Sequence, residues 1–120
     1  AYRQCHVARQ QAMELAIAPL RERVREALAA CGPQQARLAA VDAVMAQALA
    51  PHERRLLGGL PGWLEKRSQR MAQQGVPETV LAETLRQELQ ALLLAELEHR
   101  LQPVEGLIAA LRPSPTSPSP

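Results

Sequence analysis

The sequence predicts an all-α fold, an elongated antiparallel bundle of about four helices with kinks at prolines. Three observations carry this expectation. Apolar residues recur at spacings of three and four over long stretches, the period of one helix face. Leu and Ala dominate the apolar residues, Phe is absent, and the only aromatics are Tyr2 and Trp63. No alternating run and few β-branched residues argue for a strand. Within its 120 residues the chain reads as one helical bundle domain over residues 1–112. A Pro/Ser tail, PSPTSPSP at 113–120, has nothing to bury and is expected to be disordered.

The first helix is expected over residues 2–30, with Met13, Ile17, Leu20, Val24 and Leu28 as its stripe. Pro19 falls inside it and removes one amide donor, which predicts a kink. Cys31-Gly32-Pro33 ends it. A second helix runs from Pro33 to Leu49, with an extension past Pro51 to Leu57 left open; its core stripe is Leu38, Val41, Met45 and Ala48 or Leu49. Gly58-Gly59 should stop it. Leu60-Pro61 opens a third helix that fades by Gln74, and Gly75-Val76-Pro77 breaks the chain again. The last helix, residues 78–112, is the longest, roughly 50 Å at 1.5 Å per residue. Its stripe is Leu81, Leu85, Leu89, Leu93, Leu97, Leu101, Val104, Ile108 and Leu111. Short connections predict antiparallel neighbours. The first helix is long enough to cover the last, and residues 92–101 should be enclosed on several sides.

Composition bounds the function. A formal net charge of +2 creates no global field for nucleic acid. No apolar run approaches the roughly 18 to 20 residues that span a bilayer. Cys5 and Cys31 on one helix would lie roughly 40 Å apart, too far for a disulfide, which fits a cytoplasmic protein. The chain opens on Ala1 rather than Met and is expected to be part of a longer protein.

Catalytic signals are weak. Ser68 is the only serine outside the tail and has no His near it in sequence. Neither cysteine has a nucleophile's partners. Gly58-Gly59 lacks the lysine of a phosphate loop. Glu96-x-x-His99 has the spacing of a carboxylate-bridged metal bundle, but no second pair completes it, so it reads first as a solvated polar face. No cofactor motif and no small-molecule substrate site is evident. Protein contact or self-association is expected through the final helix, at Leu89, Leu92, Leu93, Leu97 and Leu101. Trp63 is expected to plug the core, or else to act as an exposed binding anchor. Arg54, Arg55, Lys66, Arg67 and Arg70 stand against two carboxylates between residues 52 and 75, a basic corner for an acidic partner or a phosphate backbone. The helix after it is acidic and could pair with it.

Four blocks carry a family resemblance: YRQCHVARQQAMELAIAPLRERVREAL (2–28), ARLAAVDAVMAQAL (36–49), HERRLLGGLPGWLEKR (52–67) and LLLAELEHRLQPVEGLIAALR (92–112). Together they resemble the later half of an uncharacterised proteobacterial family, a domain of unknown function. Its genes sit beside those for a stator-like membrane motor and an OmpA-like, peptidoglycan-binding protein, as in the third variant of the Zorya anti-phage defence system. The resemblance implies a non-enzymatic helical interaction module, the cytoplasmic adaptor or effector component of such a system. The alternatives are a nucleic-acid-binding effector and a carboxylate-bridged metal protein. Pro51 and Ser68 depart from the family's pattern of an unbroken helix and an aromatic. The resemblance carries over no catalytic residue.

Overall fold

A computed structural model describes residues 2–112. Among them lie four helices and no strand: α1 Tyr2–Ala29, α2 Pro33–Gly58, α3 Leu60–Gln73 and α4 Glu78–Leu111. The all-α, elongated bundle expected from the sequence is what forms. Its extents are 69 × 29 × 18 Å. The tail at 113–120, with the expectation of disorder attached to it, lies outside the described residues.

The four helices make three rods. Gly59 alone separates α2 from α3, and its φ of −78° and ψ of −18° are right-handed helical. The Trp63 amide donates across the joint to the Gly59 carbonyl at 3.0 Å. Gly58-Gly59 therefore ends α2, as expected, but does not turn the chain. The joint exists because Pro61 has no N–H to offer the Leu57 carbonyl four residues before it. Cross-links set the directions. Arg21 meets Asp42, Gln10 meets Leu57 and Arg3 meets Glu65, so α2–α3 runs antiparallel to α1. Tyr2 meets Ala82, His6 meets Glu96 and Glu14 meets Arg100, so α4 runs parallel to α1. As expected, α1 is the main cover of α4.

Two turns depend on glycine. Gly32 has φ 153°, and a Cβ there would meet the Gln35 Oε1 at 3.0 Å. After α3, Gly75 takes the left-handed conformation at φ 82°. Its amide reaches the Ala72 carbonyl at 3.1 Å and that of Val76 reaches Met71 at 3.2 Å. That pair of bonds is the Schellman closure of a helix.

The other prolines lie inside helices that continue past them. α1 continues through Pro19, α2 through Pro51 and α4 through Pro103. The carbonyls they release belong to Leu15, Gln47 and His99, all exposed residues open to solvent. Only Pro61 releases a carbonyl of a buried residue, Leu57.

Apolar clusters hold the two ends. Leu28, Ala39 and Leu107 pack with Val24, Ala110 and Leu111 at one. Leu64, Leu85 and Leu89 pack with Leu81, Leu92 and Leu93 at the other. The stripe predicted for α2 is not in either. Leu38, Val41, Met45 and Leu49 are exposed, and α2 turns Ala39, Ala43, Ala46, Ala50 and Leu57 inward instead. The cause is Asp42. It is held by Arg21 and Arg25 of α1, which rotates α2 so that its alanine face meets α1 and its larger side chains face out. Small residues on the inner face also let the two backbones approach closely.

Candidate functional site

The middle of the bundle, between the apolar clusters, is polar. His6 and Gln10 of α1 face Glu96 of α4, and all three are buried. Glu96 is 2% exposed and His6 0%. The Gln10 side-chain amide donates to Glu96 Oε1 at 2.6 Å and to the Leu57 carbonyl at 2.9 Å. Gln10 thus supplies the donor that Pro61 removed. His6 Nε2 lies 2.7 Å from Glu96 Oε2, and with Glu96 ionised it is the donor in that bond. The Arg100 guanidinium stands 4.0 Å from Glu96 and 3.4 Å from Glu14. His6 Nδ1 and Arg100 Nε are buried without a partner among the described residues.

This arrangement corrects the sequence reading of Glu96 as part of a solvated face. The inward line of α4 follows Leu89, Leu92 and Leu93, then Glu96, Arg100, Val104 and Leu107; Leu97 and Leu101 flank it half-buried. Within the described bundle residues 92–101 are not enclosed on every side, since Leu94 is exposed. His99 points elsewhere, to Glu53 at 3.7 Å on the exposed side. Glu96 and His99 therefore share no site. No group of three or more His, Cys, Asp or Glu side chains could hold a metal among the described residues. The network was legible only in part. Carrying the α1 stripe back from Met13 reaches Gln10 and His6, two polar residues where apolar ones belong.

Two hollows flank the network. One, of about 330 Å³, is lined by His6 and Ser68 together with Tyr2, Arg3 and Leu85. The fold thus brings a histidine near the serine that lacks one in sequence, without a hydrogen bond between them. The other, of about 320 Å³, lies between α1, α2 and α4 and is lined by Arg21, Arg25, Arg54 and Arg100. Arg21 makes two bonds to Asp42, at 3.0 and 2.7 Å, and Arg25 bonds both Asp42, at 3.1 Å, and Glu22. Burial pushes the Asp42 carboxyl up, but the two arginines outweigh it and hold it below the ordinary aspartate range. The Arg25 guanidinium is raised, first by Glu22, against the cost of its burial.

The basic corner is not a corner. Because α2 and α3 are in line, Arg54 and Arg70 stand roughly 24 Å apart along one rod. Arg54 lines the arginine cleft, and Arg67 is bound to Glu88 of α4 at 2.8 Å. Arg55, Lys66 and Arg70 remain exposed along the rod. The basic segment and the acidic helix do pair, within the bundle, through Arg67 and Glu88. Among the leucines expected at an interface, Leu89 is core and Leu92 and Leu93 pack on the same cluster. Trp63 is 49% exposed and does not plug the core.

An apolar line along α2–α3 has no partner among the described residues. Leu38, Met45, Leu49, Leu56 and Trp63 are exposed, with Val41 beside them. At about 100° per residue these five fall within about 20° of one direction. Arg37, Arg55, Lys66 and Arg70, all exposed, fall along one edge of that line.

The fold and these features define a three-rod helical bundle with a polar centre and an open apolar rod face. The chain belongs to the family of proteins of unknown function DUF3348, whose model matches residues 1–113. No curated protein and no solved structure matches it significantly. No helix among the described residues is long and apolar enough to cross a membrane.

Proposed function

We propose that this chain is a non-enzymatic interaction module whose working surface is the α2–α3 rod. The observation that carries the reading is the exposed line of Leu38, Met45, Leu49, Leu56 and Trp63. Side chains of this size at this spacing match the apolar seam of one helix laid on another. The basic edge of Arg37, Arg55, Lys66 and Arg70 sets the partner's chemistry, an amphipathic helix with an acidic edge. An antiparallel second copy of the same rod would bring these like charges together. The final helix, expected from the sequence to be the contact surface, spends much of its apolar face inside the bundle. The family resemblance adds a setting, a cytoplasmic adaptor or effector in a Zorya-like, motor-linked defence system.

Trp63 is the only tryptophan and reports directly on the face. Titration with acidic amphipathic peptides should shift its emission to the blue, and Met45→Glu with Leu56→Glu should abolish the shift while leaving the helical signal intact. Binding that survives both substitutions refutes this surface. Light scattering separates a second copy from a different partner. Salt-sensitive DNA binding lost on Arg55→Glu and Lys66→Glu, with no peptide binding, would favour the nucleic-acid reading instead.

A further inference from the structure

The arginine cleft between α1, α2 and α4 has no part in that reading. We infer that it is a binding site for a small phosphorylated ligand, with the phosphate between Arg54 and Arg100 and the organic part on the apolar floor.

The arginines are not equally free. Arg21 and Arg25 are occupied by Asp42 and Glu22, which fix their position at one wall. Arg54 lines the cleft and makes no ion pair among the described residues. Arg100 is weakly held. Its terminal nitrogens reach carboxylates only at 3.4 and 4.0 Å, and its Nε is a buried donor without a partner. A guanidinium at 11% exposure normally bonds its acceptors closely, so terminal nitrogens held at 3.4 and 4.0 Å can take a further acceptor. Two guanidinium groups from different helices suit the several oxygens of a phosphate.

The remaining lining decides what the phosphate is attached to. Glu14 and Glu53 also face the cleft. They disfavour a polyanion and can accept hydrogen bonds from hydroxyl or amino groups. Ile17, Ala46, Ala50 and Pro103 supply an apolar floor. At about 320 Å³ the cleft lies at the small end of ligand sites. It is open because the inner face of α2 is alanine, so the small side chains that bring α2 onto α1 also leave room beside α4.

The test is calorimetric titration of the whole chain with adenosine monophosphate, adenosine and inorganic phosphate at matched ionic strength. Saturable one-to-one binding of the monophosphate is expected, at least tenfold tighter than phosphate alone, with adenosine not binding. Arg54→Gln, at an exposed position with no structural bond, should weaken it roughly ten- to a hundredfold, the loss of a charge-assisted bond. Lack of monophosphate binding, binding unchanged in Arg54→Gln, or adenosine binding as tightly as the monophosphate would each overturn the site. Phosphate binding as tightly as the monophosphate would overturn the role of the floor. The Met45→Glu, Leu56→Glu chain should bind the monophosphate normally, which separates this site from the rod surface.

Discussion

Replacing Gln10 with Leu tests the central packing argument. Leu keeps most of the volume but removes both donations of the side-chain amide, one to the Leu57 carbonyl and one to Glu96. The first is a neutral bond, worth about 1 kcal/mol, and the second goes to a charged group, worth about 1.5–3 kcal/mol. Both acceptors stay buried, so water does not replace the loss. The expected cost is about 3 kcal/mol, a large share of the roughly 5–15 kcal/mol that holds a domain together. It should lower the thermal midpoint by roughly 12–20 °C in a domain near this size. The readout is urea unfolding followed by far-ultraviolet circular dichroism. Pro61→Ala then separates the two bonds. It restores a backbone donor to Leu57, so in the Gln10→Leu chain it should recover about 1 kcal/mol more than it does in the parent. A Gln10→Leu chain within about 0.5 kcal/mol of the parent, a difference typical of harmless surface changes, would refute the reasoning. A double-mutant cycle with no coupling would refute the link between Pro61 and Gln10.

Other outcomes follow from the same geometry. Glu96→Ala should cost about 2–4 kcal/mol, because it leaves buried Gln10 and His6 without their shared acceptor; chemical denaturation measures it. Gly75→Ala should cost about 1–2 kcal/mol through backbone strain alone, since a Cβ there meets nothing within 4 Å. The Asp42 carboxyl is held below its ordinary range in the folded chain. Its contribution is therefore present above the unfolded aspartate pKa of about 3.9 and lost as pH falls through the lower folded value. Acid titration should show Asp42→Asn losing less stability than the parent in that window, and an equal loss would remove Asp42 from the acid response.

Much of the fold was legible in the chain. The α1 stripe from Met13 to Leu28 faces inward as read, and so do Leu81, Leu85 and Leu89 at the start of α4. Local period suffices there because no polar contact competes with it. The site was less legible. In the sequence Glu96 reads as surface, since charged residues seldom lie buried unpaired. Its burial depends on His6 and Gln10, which lie ninety and eighty-six residues away. In the sequence Trp63 and the Leu38–Met45 side of α2 read as core, because size and apolarity normally bury a side chain.

By itself the sequence determined the helices, the lengths of all but α2, and the turns at Gly32 and Gly75, since period, propensity and backbone freedom act over a few residues. Only the tertiary structure decided how many rods these helices make and which face of each turns inward. Gly58-Gly59 can bend or continue a helix, and it continues because Gln10 from another rod satisfies the carbonyl that Pro61 abandons. The inward face of α2 was settled by Asp42 meeting Arg21 and Arg25 across the bundle. Hydrogen bonds between distant residues outweighed the apolar period of a single helix, and they left a line of large side chains facing out.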